Sequence, residues 1–139
     1  MTVYVDSSVL LRVLLREPDR LGSWGQIDQP ISSELIRVEC LRTIDRARLI
    51  LGLTDAAVAD RRAAVFDALA TFTLVSVGHA VLIRAGEPFP TSLGSLDAIH
   101  LATALLLREQ GEALSVATHD VELGLAARAV GFEVEGLPA

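Results

Sequence analysis

Asp6, Glu39, Asp97 and Asp120 are the residues of this 139-residue chain whose types and placement offer the most chemistry. Asp6 directly follows the apolar, β-rich run Val3–Val5, and Asp120 follows the similar run Leu114–Thr118. Asp97 falls in the opening turn of a helix expected from Ser95, its candidate cap, to about Gln110; there the helix dipole favours an ionised carboxylate. Glu39 lies within a helix expected from about Glu34 to Ile50, whose Leu35, Val38, Leu41 and Ile44 recur at helical spacing and read as its core face. A carboxylate at the border of a core is costly unless something pairs with it. A shared cation relieves that cost and the mutual repulsion of four acids, and the chain has no Lys to do so. Oxygen-only ligation selects a hard ion, Mg2+ or Mn2+.

Elements that could bring these acids together are legible along the chain. Val3–Val5 reads as a strand, with Ser7 and Ser8 as cap-type residues before a helix over Val9–Leu15. Pro18 ends that helix, Gly22–Gly25 is loop-like, and Pro30–Ser33 leads towards the helix that carries Glu39. Thr54 is a candidate N-cap for a helix to about Ala70, and Phe72–Val77 reads as a buried strand. After a short helix near His79–Ala85, the segment Glu87–Gly94 with Pro88 and Pro90 is a loop delivering the chain to the Asp97 helix, which stops at Gly111. Leu114–Thr118 is a strand, Val121–Val130 a helix stopped by Gly131, and Phe132–Glu135 a last strand. This alternation predicts a parallel sheet covered on both faces. Functional residues in such sheets collect beyond the strands' carboxyl ends, so adjacent first and Leu114–Thr118 strands would set Asp6 beside Asp120.

Composition narrows the functional classes. The length suits one domain, residues 1–139, and a core rich in aliphatic residues, since 51% of the chain is apolar but only 4% aromatic. The single cysteine, Cys40, forms no intramolecular disulfide and fits a reducing compartment, with the cytoplasm as the expected location. The N-terminal run lacks a signal-peptide pattern, and the apolar segment Ala98–Leu107 is about half the ~20 residues of a membrane span. A net charge of −6 argues against a protein that coats nucleic acid through a broad basic surface. It leaves room for an enzyme whose carboxylates hold cations, because each divalent ion reverses the local field.

The motifs Val3–Tyr4–Val5–Asp6–Ser7–Ser8, Ser33–Glu34–Leu35–Ile36–Arg37–Val38–Glu39, Ser95–Leu96–Asp97–Ala98–Ile99–His100–Leu101–Ala102 and Ala117–Thr118–His119–Asp120 resemble, in order, those of PIN domains. Their arrangement and the chain length are most similar to the VapC-type toxins of type II toxin–antitoxin systems. The resemblance covers essentially the whole chain. It implies a three-layer α/β/α sandwich with a mostly parallel sheet of four or five strands, usually dimeric, that cleaves RNA with Mg2+ or Mn2+ and is silenced by a small antitoxin protein. Position by position, it assigns Asp6, Glu39, Asp97 and Asp120 to the acidic, metal-holding site. Thr118 matches a hydroxyl often found before the final acid, and Ser7 is a similar candidate; His119 stands where many relatives carry an aromatic. The implied reaction is phosphodiester hydrolysis, with one or two cations orienting the phosphate and lowering the pKa of a bound water.

Other residues carry weaker alternatives. His100, three residues after Asp97, shares its helix face and reads as a satisfied structural histidine or as a residue that orients a ligand. His79 and His119 could form an acid–base pair for metal-free RNA cleavage, but this leaves the four acids unexplained. Arg12, Arg16, Arg37, Arg42 and Arg46 are either an RNA track or solvated helix faces, and Trp24 is expected to be a local core anchor. A phosphoacceptor receiver domain lacks support, because its paired early acids and late lysine are missing. The alternative of a different class is a PIN-like module that binds RNA or protein without cutting. A mean hydropathy of +0.46 suggests that another chain, a second copy or an antitoxin, covers part of the surface.

Overall fold

The structure, a computed structural model, describes residues 2–138. Its centre is a five-stranded sheet of β1 (Thr2–Val5), β2 (Gln29–Ser33), β3 (Thr73–Val75), β4 (Leu114–Ala117) and β5 (Val134–Glu135). The order is β3-β2-β1-β4-β5, and every pairing is parallel. All strand carboxyl ends therefore share one edge. β1 lies between β2 and β4, with Val5 in register with Ala117, so the residues that follow these two strands emerge side by side.

Helices cover both faces, because alternate residues of the inner strands are apolar in both directions. Val3, Val5 and Ala117 pack with Val9 of α1 (Ser7–Leu14) on one face. Beyond them Leu10 meets Ile36, Cys40 and Ile44 of α2 (Leu35–Leu51) and Val65 and Leu69 of α3 (Asp55–Leu69). On the other face Tyr4, Ile31 and Val116 pack against Leu101, Ala104 and Leu105 of α5 (Ser95–Glu109) and Leu123, Ala126 and Ala127 of α6 (Val121–Ala129). The short helix α4 (His79–Ala85) lies against α5. This is the three-layer α/β/α sandwich expected from the order of elements.

Several local expectations change. Pro30–Ser33 belongs to β2, an inner strand, rather than to a lead-in before α2. Its proline is tolerated near the strand's start, where a missing N–H costs least. The strand expected over Phe72–Val77 shrinks to β3, a partly exposed edge strand. On α2 the buried stripe is Ile36, Cys40 and Ile44, whereas Val38 is 55% exposed. Glu39 therefore borders the buried stripe beside Cys40. The cap of α5 is Gly94, not Ser95, which places Asp97 third in the helix and still in its first turn. Trp24 meets Phe72 with ring centroids 6.3 Å apart and packs onto the α1–α2–α3 core, as a local anchor should.

Candidate active site

Asp6 is tied down from three directions. Its backbone N–H continues the sheet by donating to Ala117 O at 3.2 Å. Its side chain caps α1: Oδ1 accepts from Ser8 Oγ at 2.6 Å and from Val9 N at 3.4 Å, while Oδ2 accepts from Thr118 Oγ at 2.9 Å. Asp6, rather than Ser7 or Ser8, is thus the capping residue, and the hydroxyl that supports it from α1 is Ser8's. At 4% exposure, burial pushes its carboxyl above the usual carboxylate range, and the bonds from Ser8 and Thr118 oppose that shift only in part.

Thr118, fully buried, also ties Asp6 to Asp120. Its Oγ accepts the Asp120 N–H at 3.0 Å, while Asp120 Oδ1 caps α6 by accepting from Leu123 N at 2.9 Å. The next residue, His119, donates its N–H to Ser8 Oγ at 2.9 Å, so the β4–α6 turn and the start of α1 are stitched together. The His119 ring is hydrogen-bonded to Gly136 O at 2.7 Å, and His79 sits exposed at the start of α4.

Glu39 and Asp97 enter from the two helical layers. Glu39 reaches across from α2 to His100 on α5, with Oε1 2.5 Å from Nε2. His100 is buried, and its Nδ1 lies 2.7 Å from Tyr4 Oη. Asp97, one turn before His100, has its carboxyl pushed up to about 6. Burial is the main cause, and the negative charges of Asp120, Asp6 and Glu39 add to it. The acids that Asp97 feels are the three others singled out from the sequence, which brings one from each of four chain segments to the carboxyl end of the sheet. Among the described residues, no three His, Cys, Asp or Glu side chains already stand as a group that could hold a metal ion. The donor set nevertheless suits a hard divalent cation: it is all oxygen, crowded with like charge and without a lysine to neutralise it.

Three of the five arginines considered as an RNA track stand in ion pairs. Arg12 bridges to Asp19 at 2.9 Å, Arg37 to Glu34 at 3.7 Å and Arg42 to Asp45 at 3.0 Å. This arrangement supports the plain reading of these arginines as solvated helix faces.

The PIN domain family model matches residues 3–128. The chain belongs to the PIN-domain family. It is also similar over nearly its full length to Ribonuclease VapC46 of Mycobacterium tuberculosis (strain ATCC 25618 / H37Rv), with 36% identity over 137 residues and 95% of each chain covered. Ribonuclease VapC47 of M. tuberculosis (strain CDC 1551 / Oshkosh) is 32% identical, covering 94% of this chain and 93% of that protein. These two relatives place the chain in the VapC-type branch of the PIN family.

The same PIN fold recurs in solved structures at low identity. A toxin–antitoxin complex from Klebsiella pneumoniae superposes with a TM-score of 0.66 at 16% identity, covering 99% of this chain and 96% of that one. VapBC2 from Rickettsia felis, bound to a DNA fragment from their promoter, gives 0.67 at 10% identity, covering 97% and 98%. The sequence names Ser8 as a cap-type residue and His100 as a structural or orienting one, but it does not show the Ser8–Asp6, Tyr4–His100 and His100–Glu39 contacts. Two of these leave a local trace: Ser8 as a hydroxyl two positions after a helix-capping aspartate, and His100 by sharing a helix face with Asp97.

Proposed function

We propose that this chain is a Mg2+- or Mn2+-dependent endoribonuclease acting as the toxin of a type II toxin–antitoxin pair. The observation that carries the reading is the convergence of four acids from separate segments: Asp6 after β1 is tied through Thr118 to Asp120 after β4, and Glu39 of α2 is bonded to His100, one turn along α5 from Asp97. A site that keeps such a costly cluster of carboxylates at the carboxyl end of a parallel sheet is built to receive positive charge. The VapC relatives are named ribonucleases, and two solved structures with this fold are toxin–antitoxin assemblies.

Asp6 and Asp97 would hold the cation most directly, with Glu39 and Asp120 completing its surroundings. When bound, a divalent cation supplies Lewis acidity and a water of lowered pKa for phosphodiester hydrolysis. The chain's own contribution is placement. Ser8 and Thr118 fix the plane of the Asp6 carboxylate, Thr118 sets the turn that carries Asp120, and the first turn of α5 presents Asp97. No covalent nucleophile from the protein is required.

The partners proposed are an RNA substrate, a small antitoxin and a second copy of the chain, with the cytoplasm as the place of action. Exposed Leu49, Ile50 and Leu51 at the end of α2, together with Leu82 and Ile83 on α4, support partner coverage. No helix among the described residues is long and apolar enough to cross a membrane. Light scattering should show a dimer at micromolar concentration; a clean monomer counts against that part.

The deciding experiment incubates total cellular RNA with the purified protein and Mg2+ or Mn2+, beside EDTA and Asp97→Asn controls. Discrete fragments that vanish in both controls are expected. Well-folded, metal-loaded protein that leaves several RNA pools intact overturns the reading in favour of a module that binds without cutting. Cleavage that survives EDTA points instead to histidine chemistry.

A further inference from the structure

Four elements contribute to one buried line of hydrogen bonds that ends on Glu39. The Ser33 N–H of β2 donates to Tyr4 Oη of β1 at 3.2 Å, Tyr4 Oη lies 2.7 Å from His100 Nδ1 of α5, and His100 Nε2 lies 2.5 Å from Glu39 Oε1 of α2. Ser33, Tyr4 and His100 are 0%, 1% and 1% exposed, whereas the Glu39 side chain is 17% exposed. The line is sealed along its length and open only at its acidic end.

The chemistry of the two ends sets its direction. A backbone N–H can only donate, and a carboxylate can only accept. A phenol keeps its proton at neutral pH, so Tyr4 has one to give. One arrangement that pairs every group in the line is Ser33 N–H to Tyr4 Oη, Tyr4 O–H to His100 Nδ1, and His100 Nε2–H to Glu39 Oε1.

We propose that Tyr4 and His100 are positioning residues that hold Glu39 for a divalent cation: they fix His100 as the Nε2–H tautomer, occupy Oε1 and direct Oε2 to the site. The inference rests on the metal-dependent reading above. A carboxylate fixed in this way loses less rotational freedom when it binds an ion, and outer partners of this kind typically change metal affinity by about 10–100-fold. None of the three hydrogen bonds in the line can be exchanged for a bond to water without opening the core, so the restraint persists in the metal-free protein.

The test is calorimetric titration of Mn2+ into the full-length protein after EDTA treatment and dialysis, with thermal unfolding of each metal-free variant as a check on folding. Wild-type protein should bind Mn2+. His100→Leu should weaken binding by about 10–100-fold, and His100→Gln, whose amide can present an N–H near the Nε2 position, should recover most of the loss. Tyr4→Phe should weaken binding by loosening the imidazole. A folded His100→Leu that binds as wild type overturns this inference and leaves the metal-dependent reading standing. Wild type that fails to bind Mn2+ overturns both. If His100→Leu does not fold, long-range 1H–15N spectra of the wild-type imidazole decide: a bare Nδ1 with a proton on Nε2 supports the arrangement, and a proton on Nδ1 overturns it.

Discussion

Thr118 donates its hydroxyl proton to Asp6 Oδ2 at 2.9 Å and, through the same oxygen, accepts the N–H of Asp120 at 3.0 Å. One fully buried side chain therefore sets the spacing between the acids that follow β1 and β4. Thr118→Val keeps the shape but leaves a buried carboxylate oxygen without its donor and a backbone N–H without its acceptor. Removing such partners costs about 1–3 kcal/mol each time a buried polar group is left unpaired. Urea denaturation should show a lower midpoint with an unchanged slope, and Thr118→Ser should restore most of it. A Val variant as stable as wild type would remove Thr118 from this role.

The raised carboxyl of Asp97 makes a pH prediction whose sign follows from proton counting. Between about pH 4 and 6 the folded state holds a proton that the unfolded chain has released, so stability falls as pH rises through this window. Below it both states are protonated and the penalty is absent; above it both are ionised and the penalty is constant. Asp6, also raised, acts in the same direction. Thermal unfolding in EDTA should therefore give a lower Tm at pH 7 than at pH 5. Asp97→Asn should flatten that dependence and raise the metal-free Tm at pH 7.

Divalent cation should offset the same penalty. Ligand at about 100 times its Kd stabilises by about 2.7 kcal/mol if it binds only the folded state. Mg2+ or Mn2+ should raise the Tm of wild type at pH 7 and leave that of an Asp6→Asn, Asp97→Asn double variant unmoved. An equal shift in both proteins would mean that the ion binds elsewhere.

The positions of Asp6 and Asp120 were legible because each follows a short apolar run, and a parallel arrangement makes the residue after such a run a site residue wherever the strands are neighbours. β2 was not, because Pro30, Ser32 and Ser33 give it little strand character of their own; pairing with β1 and β3 imposes it. On α2 two apolar stripes overlap in the sequence, Leu35–Val38 and Ile36–Cys40, and helical spacing alone does not say which faces the core. The bonds from His100 to Glu39 and Tyr4 span 61 and 96 residues, so only the fold brings them together. Shared helix face told where His100 sits relative to Asp97 but not that α2 lies opposite.

Cys40 offers an internal readout of the packing behind Glu39. It is fully buried, and burial, helped by the charges of Glu39 and Asp6, pushes its thiol up to about 12. Reactivity requires the thiolate, so a disulfide reagent at pH 8 should leave native protein unlabelled and modify one thiol after unfolding. Rapid labelling of native protein would show that the α1–α2–α3 core opens readily.

Two glycines near the carboxyl terminus separate a backbone clash from a side-chain one. Gly136 has φ +100°, and a Cβ there would lie 2.6 Å from Thr118 O and 3.2 Å from His119 Nδ1. The obstacle is the backbone that leads into Asp120, and the left-handed conformation alone costs a non-glycine residue about 1–2 kcal/mol. At Gly124 of α6 the atoms nearest an added Cβ all belong to the side chain of Leu137, the first at 2.5 Å. That side chain can turn away, and a helical position favours Ala over Gly by about 1 kcal/mol. Gly136→Ala should therefore lower the Tm and weaken metal binding, because the Thr118–Asp120 turn must shift. Gly124→Ala should cost little, and pairing it with Leu137→Ala should remove what cost there is. If Gly136→Ala matched wild type in both Tm and Mn2+ affinity, the 136–138 segment would have no hold on the turn that carries Asp120.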